Sequence, residues 1–313
     1  MAASLAEGIA GGLLGVAAGD ALGSTLEFLP RAAVASRYRG GHRELTGGGA
    51  FGWRPGQGTD DSDLTWAVVQ AYLEGYSVAA AAEYMLAWFQ SGPRDVGATT
   101  AAALAAYRRS RDPRRCGAEV AGPLAAGNGS LMRALPTALV RGDAAQRAAE
   151  AAELSRITHA DRRCVESCVA YGELAATVLE GAGPAEAIEH VLAATGVGGE
   201  VRAVLARAPH LRLDELPNGG FVLDTLAVAT WALVQSGSFE DVVVQVVNLG
   251  GDADTNGAVA GGLLGVLHGA GAVPPRWRAT LEYADAIEAA APRLVAMRQQ
   301  GSRPLSGAAG RAR

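Results

Sequence analysis

Gly11-Gly12-Leu13-Leu14-Gly15-Val16 near the start of the chain returns near its end as Gly261-Gly262-Leu263-Leu264-Gly265-Val266. Around each copy glycine recurs every fourth residue, at Gly11, Gly15, Gly19 and Gly23, and again at Gly257, Gly261, Gly265 and Gly269. On a helix that spacing makes one bare stripe. A glycine inside a helix costs about 0.5–1 kcal/mol relative to alanine, so the stripe needs a packing reason. Close approach of a second backbone supplies one. The two segments are therefore expected to be central helices packed on each other, drawing both ends of the chain into one core. A single all-α domain over residues 1–298 follows, with 299–313 expected as a disordered tail, since Gly301, Pro304, Gly307 and Gly310 crowd the end.

Composition agrees with this. Hydrophobic residues make up 49% of the 313 and charged residues 19%, a balance that supports a buried core. Aromatics are only 5%, and abundant alanine favours helix. A net charge of −5 argues against a general nucleic-acid or membrane surface. All 27 basic residues are arginine. Three cysteines, Cys116, Cys164 and Cys168, are too few for a disulfide framework in so long a chain. Cys164, Cys168 and His159 could be drawn together as a zinc cluster, but buried packing is the commoner use of free cysteine. The N-terminus lacks the basic start of a signal peptide, and the apolar runs near 8–19 and 257–267 read as too short to span a bilayer. The cytoplasm is the expected compartment.

Helical patterns cover 5–22, 64–90, 97–110, 130–157, 163–180, 184–208, 222–236 and 255–269. Pro184 after Gly183, and Ser238 with Asp241, mark helix starts. Val242 to Val247 is rich in β-branched residues and is the weakest helical stretch. Residues 38–61, with Gly47-Gly48-Gly49, form a long loop, of the kind that is usually functional or disordered.

That loop feeds Thr59-Asp60-Asp61-Ser62-Asp63. Gly250-Gly251-Asp252-Ala253-Asp254-Thr255 likewise enters a helix. One aspartate at a helix start is ordinarily a cap. Two carboxylates and a threonine against a glycine turn exceed what a cap needs. Facing each other, the clusters would repel by about 4 kcal/mol per pair at 4 Å and an effective dielectric of 20. Raised pKa values or bound cations must relieve that. All-oxygen ligands favour Mg²⁺, Mn²⁺ or Ca²⁺ over zinc, and two carboxylate groups suit a two-metal site.

Taken with Gly15-Val16-Ala17-Ala18-Gly19-Asp20-Ala21-Leu22-Gly23, Glu27-Phe28, Gly127-Asn128-Gly129-Ser130-Leu131-Met132-Arg133 and Thr158-His159, these segments resemble the ADP-ribosylglycohydrolase family over roughly residues 8–270. Thr46-Gly47-Gly48-Gly49, Pro55-Gly56-Gln57, Asp95-Val96-Gly97 and Val222-Leu223-Asp224-Thr225 make it most similar to the dinitrogenase reductase-activating members. The resemblance implies one compact helical domain with a binuclear metal cleft holding two divalent cations, Mg²⁺ or Mn²⁺. It implies Thr59, Asp60, Asp61, Asp252, Asp254 and Thr255 as metal ligands, with Glu27 beside the metals as a ligand or on a gating segment. Asp95 would lie near the scissile ribose with Thr99 on the substrate side. Gly127, Asn128, Gly129 and Ser130 would line the diphosphate, His159 would contact the nucleotide, and Phe221 would stand where the nitrogenase-regulating members carry a tyrosine. The base is left open among Asp60, Asp61 and Asp95, with Glu27 also counted in the catalytic set.

The implied reaction is hydrolysis of the N-glycosidic bond of mono-ADP-ribosyl-arginine on a protein, dinitrogenase reductase being one possible target. Ser-linked, O-acetyl, nucleic-acid-linked or α-NAD substrates, small ADP-ribose conjugates, and a non-catalytic ADP-ribose-binding role are the alternatives. A prenyl-chain enzyme would place aspartate at position 64, where Leu64 stands. Bland readings exist for several residues: Asp95 as a helix cap, His159 as a core histidine, Arg133 as a surface charge.

Overall fold

Helix occupies nearly every stretch in which alanine and apolar residues recur with helical spacing. The computed structural model describes residues 3–122, 126–194 and 197–301. Along them run α1 (Leu5–Gly23), α2 (Arg31–Arg37), α3 (Asp60–Leu73), α4 (Val78–Gln90), α5 (Ala98–Ser110) and α6 (Cys116–Glu119). There follow α7 (Leu135–Val140), α8 (Ala144–Arg156), α9 (Arg162–Leu179), α10 (Pro184–Ala193) and α11 (Gly199–Arg207). Last come α12 (Val222–Leu233), α13 (Phe239–Val247), α14 (Ala253–His268), α15 (Pro275–Arg278) and α16 (Ala284–Gly301). No strand forms among the described residues, which make one helical body around a shared core.

The two glycine stripes meet at its centre. α1 and α14 run antiparallel, with Gly15 opposite Gly261 and Gly19 opposite Gly257. A methyl group added to Gly19 would sit 1.9 Å from the Gly257 carbonyl oxygen, so only glycine permits this approach. Gly269 departs from the expected stripe: it ends α14 with φ +81°, a left-handed conformation that glycine adopts freely. α1 is long and apolar enough to cross a membrane. Here its faces are buried inside the helical body, and its apolarity serves the core.

Several expected helices divide. Residues 64–90 break at Gly75, φ +91°, after which Ser77 caps α4 by accepting from the Ala80 amide. The expected 130–157 helix starts only at Leu135 and breaks again before Asp143, which caps α8. The 184–208 pattern is interrupted between α10 and α11, in a connection that includes residues outside the described set. The valine-rich α13 is helical despite its β propensity. Ser238 caps it, and five of its valines are buried against the core. α2 and α16 were not expected. α16 runs on through Gly301, so the expected tail begins within a helix; residues 302–313 lie outside the described residues.

Candidate active site

Because α1 and α14 are antiparallel, the C-terminal end of α1 lies beside the N-terminal end of α14. A methyl group on Gly23 would meet the Ala253 carbonyl at 2.2 Å. Both acidic clusters assemble at this end. Asp20, fully buried on α1, accepts from the amides of Thr59 and Ser62, each at 3.0 Å, and from the Ser62 hydroxyl. It thereby fastens the first turn of α3 to the core. Sequence reading placed Asp20 in a motif without giving it a role; its burial within an apolar helix was the available signal.

Thr59 caps α3, accepting from the Asp61 amide at 3.2 Å. Its hydroxyl also contacts Asp61 Oδ2 at 3.2 Å, and the Thr255 hydroxyl reaches the same oxygen from α14 at 3.2 Å. The clusters, 194 positions apart in sequence, are thus in direct contact. Asp63, in the same acidic run, points elsewhere and accepts from Trp88 Nε1 at 2.8 Å and from the Tyr283 hydroxyl at 2.5 Å.

The turn before α14 depends on Gly250 and Gly251, with φ +67° and +70°. Phe28 N–H donates to the Gly251 carbonyl at 2.7 Å, and Gly251 N–H to the Leu29 carbonyl at 2.9 Å. This stitches the Glu27 segment onto the Asp252 segment. Glu27 is buried, and one oxygen from each of Glu27, Asp252 and Asp254 lies within 4.8 Å of the others. Asp252 also accepts from Asn128 Nδ2 at 2.6 Å, and that amide donates to the Thr225 hydroxyl at 2.8 Å.

A cleft of about 600 Å³ opens over these carboxylates. Glu27, Asp60, Asp252, Asp254 and Thr255 line its acidic end, and Asp95 and Thr99 one wall. Gly127, Asn128, Gly129 and His159 line it as well. Asp95 does not cap α5; Gly97 does, without a side-chain bond. Thr59 and Asp61 are fully buried, outside the residues that line the cleft. Two expected substrate contacts also fall outside it. The Ser130 hydroxyl is buried, accepting from Ser155 at 3.0 Å. Phe221, half-exposed, lies under Arg163 and lines a neighbouring pocket with Asp224. Its backbone nevertheless pairs with Gly127. Asn218, Gly219 and Gly220 line the cleft and were not expected; a polar Asn-Gly-Gly turn before a helix gave no signal distinct from an ordinary loop. Among the described residues Cys164, Cys168 and His159 do not group as metal ligands: Cys164 Sγ donates to the Gly127 carbonyl at 3.3 Å, and Cys168 Sγ to Ser130 Oγ at 3.5 Å.

The electrostatics follow from placing so many carboxyls out of water. Burial, and then repulsion from Asp95 and Asp252, pushes Glu27 up to about 8. Burial raises Asp20 to about 6, against the hydrogen bonds it accepts. Burial and neighbouring carboxylates hold Asp60, Asp61 and Asp254 well above the ordinary range. Buried oxygens Oδ1 of Asp61 and Oε2 of Glu27 have no hydrogen-bond partner among the described residues. The converging oxygens of Glu27, Asp252 and Asp254 fit a hard divalent cation, and this acidic group could hold metal.

A carboxyl that binds its proton more tightly folded than unfolded stabilises the fold at low pH and withdraws that contribution as pH rises through its folded value. For Asp20 and Glu27 the window runs from about pH 4 to about pH 8. Melting in EDTA should therefore show a falling Tm between pH 5 and pH 8, with Mn²⁺ restoring more at pH 8 than at pH 5. A metal-free Tm that rises across that window would contradict the assignment.

Comparison with known proteins decides the family. The family model described as ADP-ribosylglycohydrolase matches residues 1–304. The chain belongs to the ADP-ribosylglycohydrolase family. This ADP-ribosylglycohydrolase is 31% identical to the ADP-ribosylarginine hydrolase Tri1 of Serratia proteamaculans, over 92% of the chain and 78% of that protein. It is also 31% identical to the ADP-ribosyl-[dinitrogen reductase] glycohydrolase of Rhodospirillum rubrum, over 87% of the chain and 89% of that protein. A solved structure, described as an ADP-ribosylglycohydrolase-related protein complex, superposes with a TM-score of 0.82 at 31% identity. That match covers 94% of this chain and 99% of the other. The ADP-ribosylglycohydrolase is thus an all-α glycosidic-bond hydrolase by family, as the sequence reading expected. The nitrogenase-regulating glycohydrolase is thus among its relatives at 31% identity, as the sequence reading expected, and the arginine hydrolase Tri1 stands at the same identity.

Proposed function

We propose that this enzyme hydrolyses the N-glycosidic bond of mono-ADP-ribosyl-arginine on a protein, with two divalent cations, Mg²⁺ or Mn²⁺, in the carboxylate cleft. Thr59, Asp60, Asp61, Asp252, Asp254 and Thr255 would hold the cations, with Glu27 beside them. The observation that carries the substrate assignment is that Asp95 lines the same cleft as Glu27, Asp60 and Asp252 while standing outside the proposed ligand set, which leaves a carboxylate for a cationic guanidinium leaving group. The names of the two relatives, a hydrolase of ADP-ribosylarginine and a glycohydrolase of ADP-ribosyl-[dinitrogen reductase], support the same reading.

Bound cations would supply Lewis-acid stabilisation of charge on the ribose oxygens. The chain's own groups do the rest. Water adds its oxygen to the anomeric carbon as the bond to the guanidine nitrogen breaks, through a transition state carrying positive charge on the ribose. A carboxylate must take the water's proton and return one to the departing nitrogen. Asp60 and Asp95 line the cleft and are the candidates; Asp61, engaged with Thr59 and Thr255 behind it, suits a holding role. Cytoplasmic operation on an ADP-ribosylated protein completes the reading.

The test incubates the enzyme and Mn²⁺ with matched Arg-linked, Ser-linked and nucleic-acid-linked ADP-ribose and with α-NAD, measuring free ADP-ribose. Release from the Arg-linked substrate should be fastest. Release from another linkage with Arg-linked material untouched would overturn the arginine assignment.

A further inference from the structure

Arg133, one residue past the glycine loop's apolar end, is 1% exposed, where a surface charge was the bland reading. Its hydrogen bonds end on uncharged oxygens: Nη1 on the Gly129 carbonyl, and Nη2 on the Thr158 hydroxyl at 2.7 Å and the Leu154 carbonyl at 3.4 Å. Nε has no partner among the described residues. A buried cation without a bonded carboxylate costs several kcal/mol in desolvation. Burial lowers its pKa to about 10, against the opposing pull of Cys168 and the Asp60 carboxylate, so it stays charged at neutral pH.

The consequences reach the cleft by two routes. Drawing the Gly129 carbonyl inward sets the backbone of the Gly127–Ser130 loop; the Gly129 and Ser130 amides donate to no backbone oxygen among the described residues. Of the two, Gly129 lines the cleft, and an unbonded amide there backed by a positive charge suits an anion. Along the second route, Thr158 accepts from Arg133, and among the described residues the acceptor within reach of its own proton is His159 Nδ1 at 2.7 Å; we read the hydroxyl as donating there. That leaves the ring proton on Nε2 of a histidine that lines the cleft. Burial, and then Arg133 itself, lowers the His159 pKa to about 3, so the ring is a neutral donor.

We propose that Arg133 is a positioning residue for the diphosphate of the ligand: it orients the Gly127–Ser130 loop and, through Thr158, the donor tautomer of His159. This rests on the ADP-ribose reading of the cleft.

Binding of ADP-ribose and of adenosine, which lacks the diphosphate, is measured in Mn²⁺ for wild type, Arg133→Lys, Arg133→Met and Thr158→Val. Arg133→Met should weaken ADP-ribose at least tenfold more than adenosine, and Arg133→Lys, which keeps the charge, by an intermediate factor. Thr158→Val should move the His159 ¹⁵N shifts towards the Nδ1–H tautomer. Equal losses for both ligands would reduce Arg133 to a structural residue and overturn the proposal, as would unchanged ADP-ribose affinity. If Arg133→Met does not fold, the Arg133→Lys ratio and the Thr158→Val spectrum decide it alone. Wild type that binds no ADP-ribose would instead overturn the functional reading itself.

Discussion

Asp252→Ala should remove most of the rise in Tm that Mg²⁺ or Mn²⁺ gives the wild type, and lower the rate of ADP-ribose release by about a thousandfold or more. The rate estimate takes the ligand's loss as several kcal/mol of charge stabilisation, at 1.36 kcal/mol per tenfold. The same substitution should not lower the melting temperature in EDTA at pH 8. Asp252 is one of several carboxyls crowded at the mouth of α14, and its charge raises Glu27, Asp60 and Asp254. Removing it relieves repulsion in the metal-free protein while destroying the site. Asp63→Asn is the control. Asp63 belongs to the same acidic run but bonds Trp88 and Tyr283, so its loss should lower stability and leave the cation response intact. A cation-induced shift that survives Asp252→Ala, measured by thermal melting with and without Mn²⁺, would refute the metal assignment.

Gly15→Ala should destabilise the protein by about 3 kcal/mol, the upper end of ordinary overpacking costs. The added methyl would stand 2.1 Å from the Gly261 carbonyl oxygen and 3.3 Å from Gly265 Cα, both rigid backbone. α1 and α14 would have to separate, and the separation reaches the site because the same helix pair holds Asp20 and Asp254 at its end. Loss of cation affinity should therefore accompany the loss of stability. Gly172→Ala on α9 makes the opposite case. Nothing lies within 4 Å of the methyl it would add, so the substitution should stabilise by about 0.5–1 kcal/mol from helix propensity alone. Paired denaturation curves in EDTA check both; equal effects of the two substitutions would mean the stripe is not what holds the helices together.

What could be read from the sequence was whatever repeats or stacks along the chain. Glycine at every fourth position announced two bare helix faces, because helix geometry alone puts residues four apart on one side. The acidic runs beside glycine turns announced more charge than capping needs, and the set of motifs carried the family. Gly269 shows the limit of spacing: its period matches the stripe and it packs beside Gly11, yet it ends α14 instead of continuing it. The role of Asp20 could not be read, because it bonds residues 39 and 42 positions away. Nor could the burial of Arg133, which at the end of a glycine loop looks like any surface arginine. The convergence of Asp61 with Thr255 was assumed from sequence, and the antiparallel register of α1 and α14 made it a 3.2 Å contact. The inward turn of Ser130 and the turning of Phe221 into the neighbouring pocket were decided by neighbours such as Ser155 and Arg163. Local pattern sets which face of a helix is bare or charged. Which distant side chain meets that face is a matter of packing between elements, and only the folded chain specifies it.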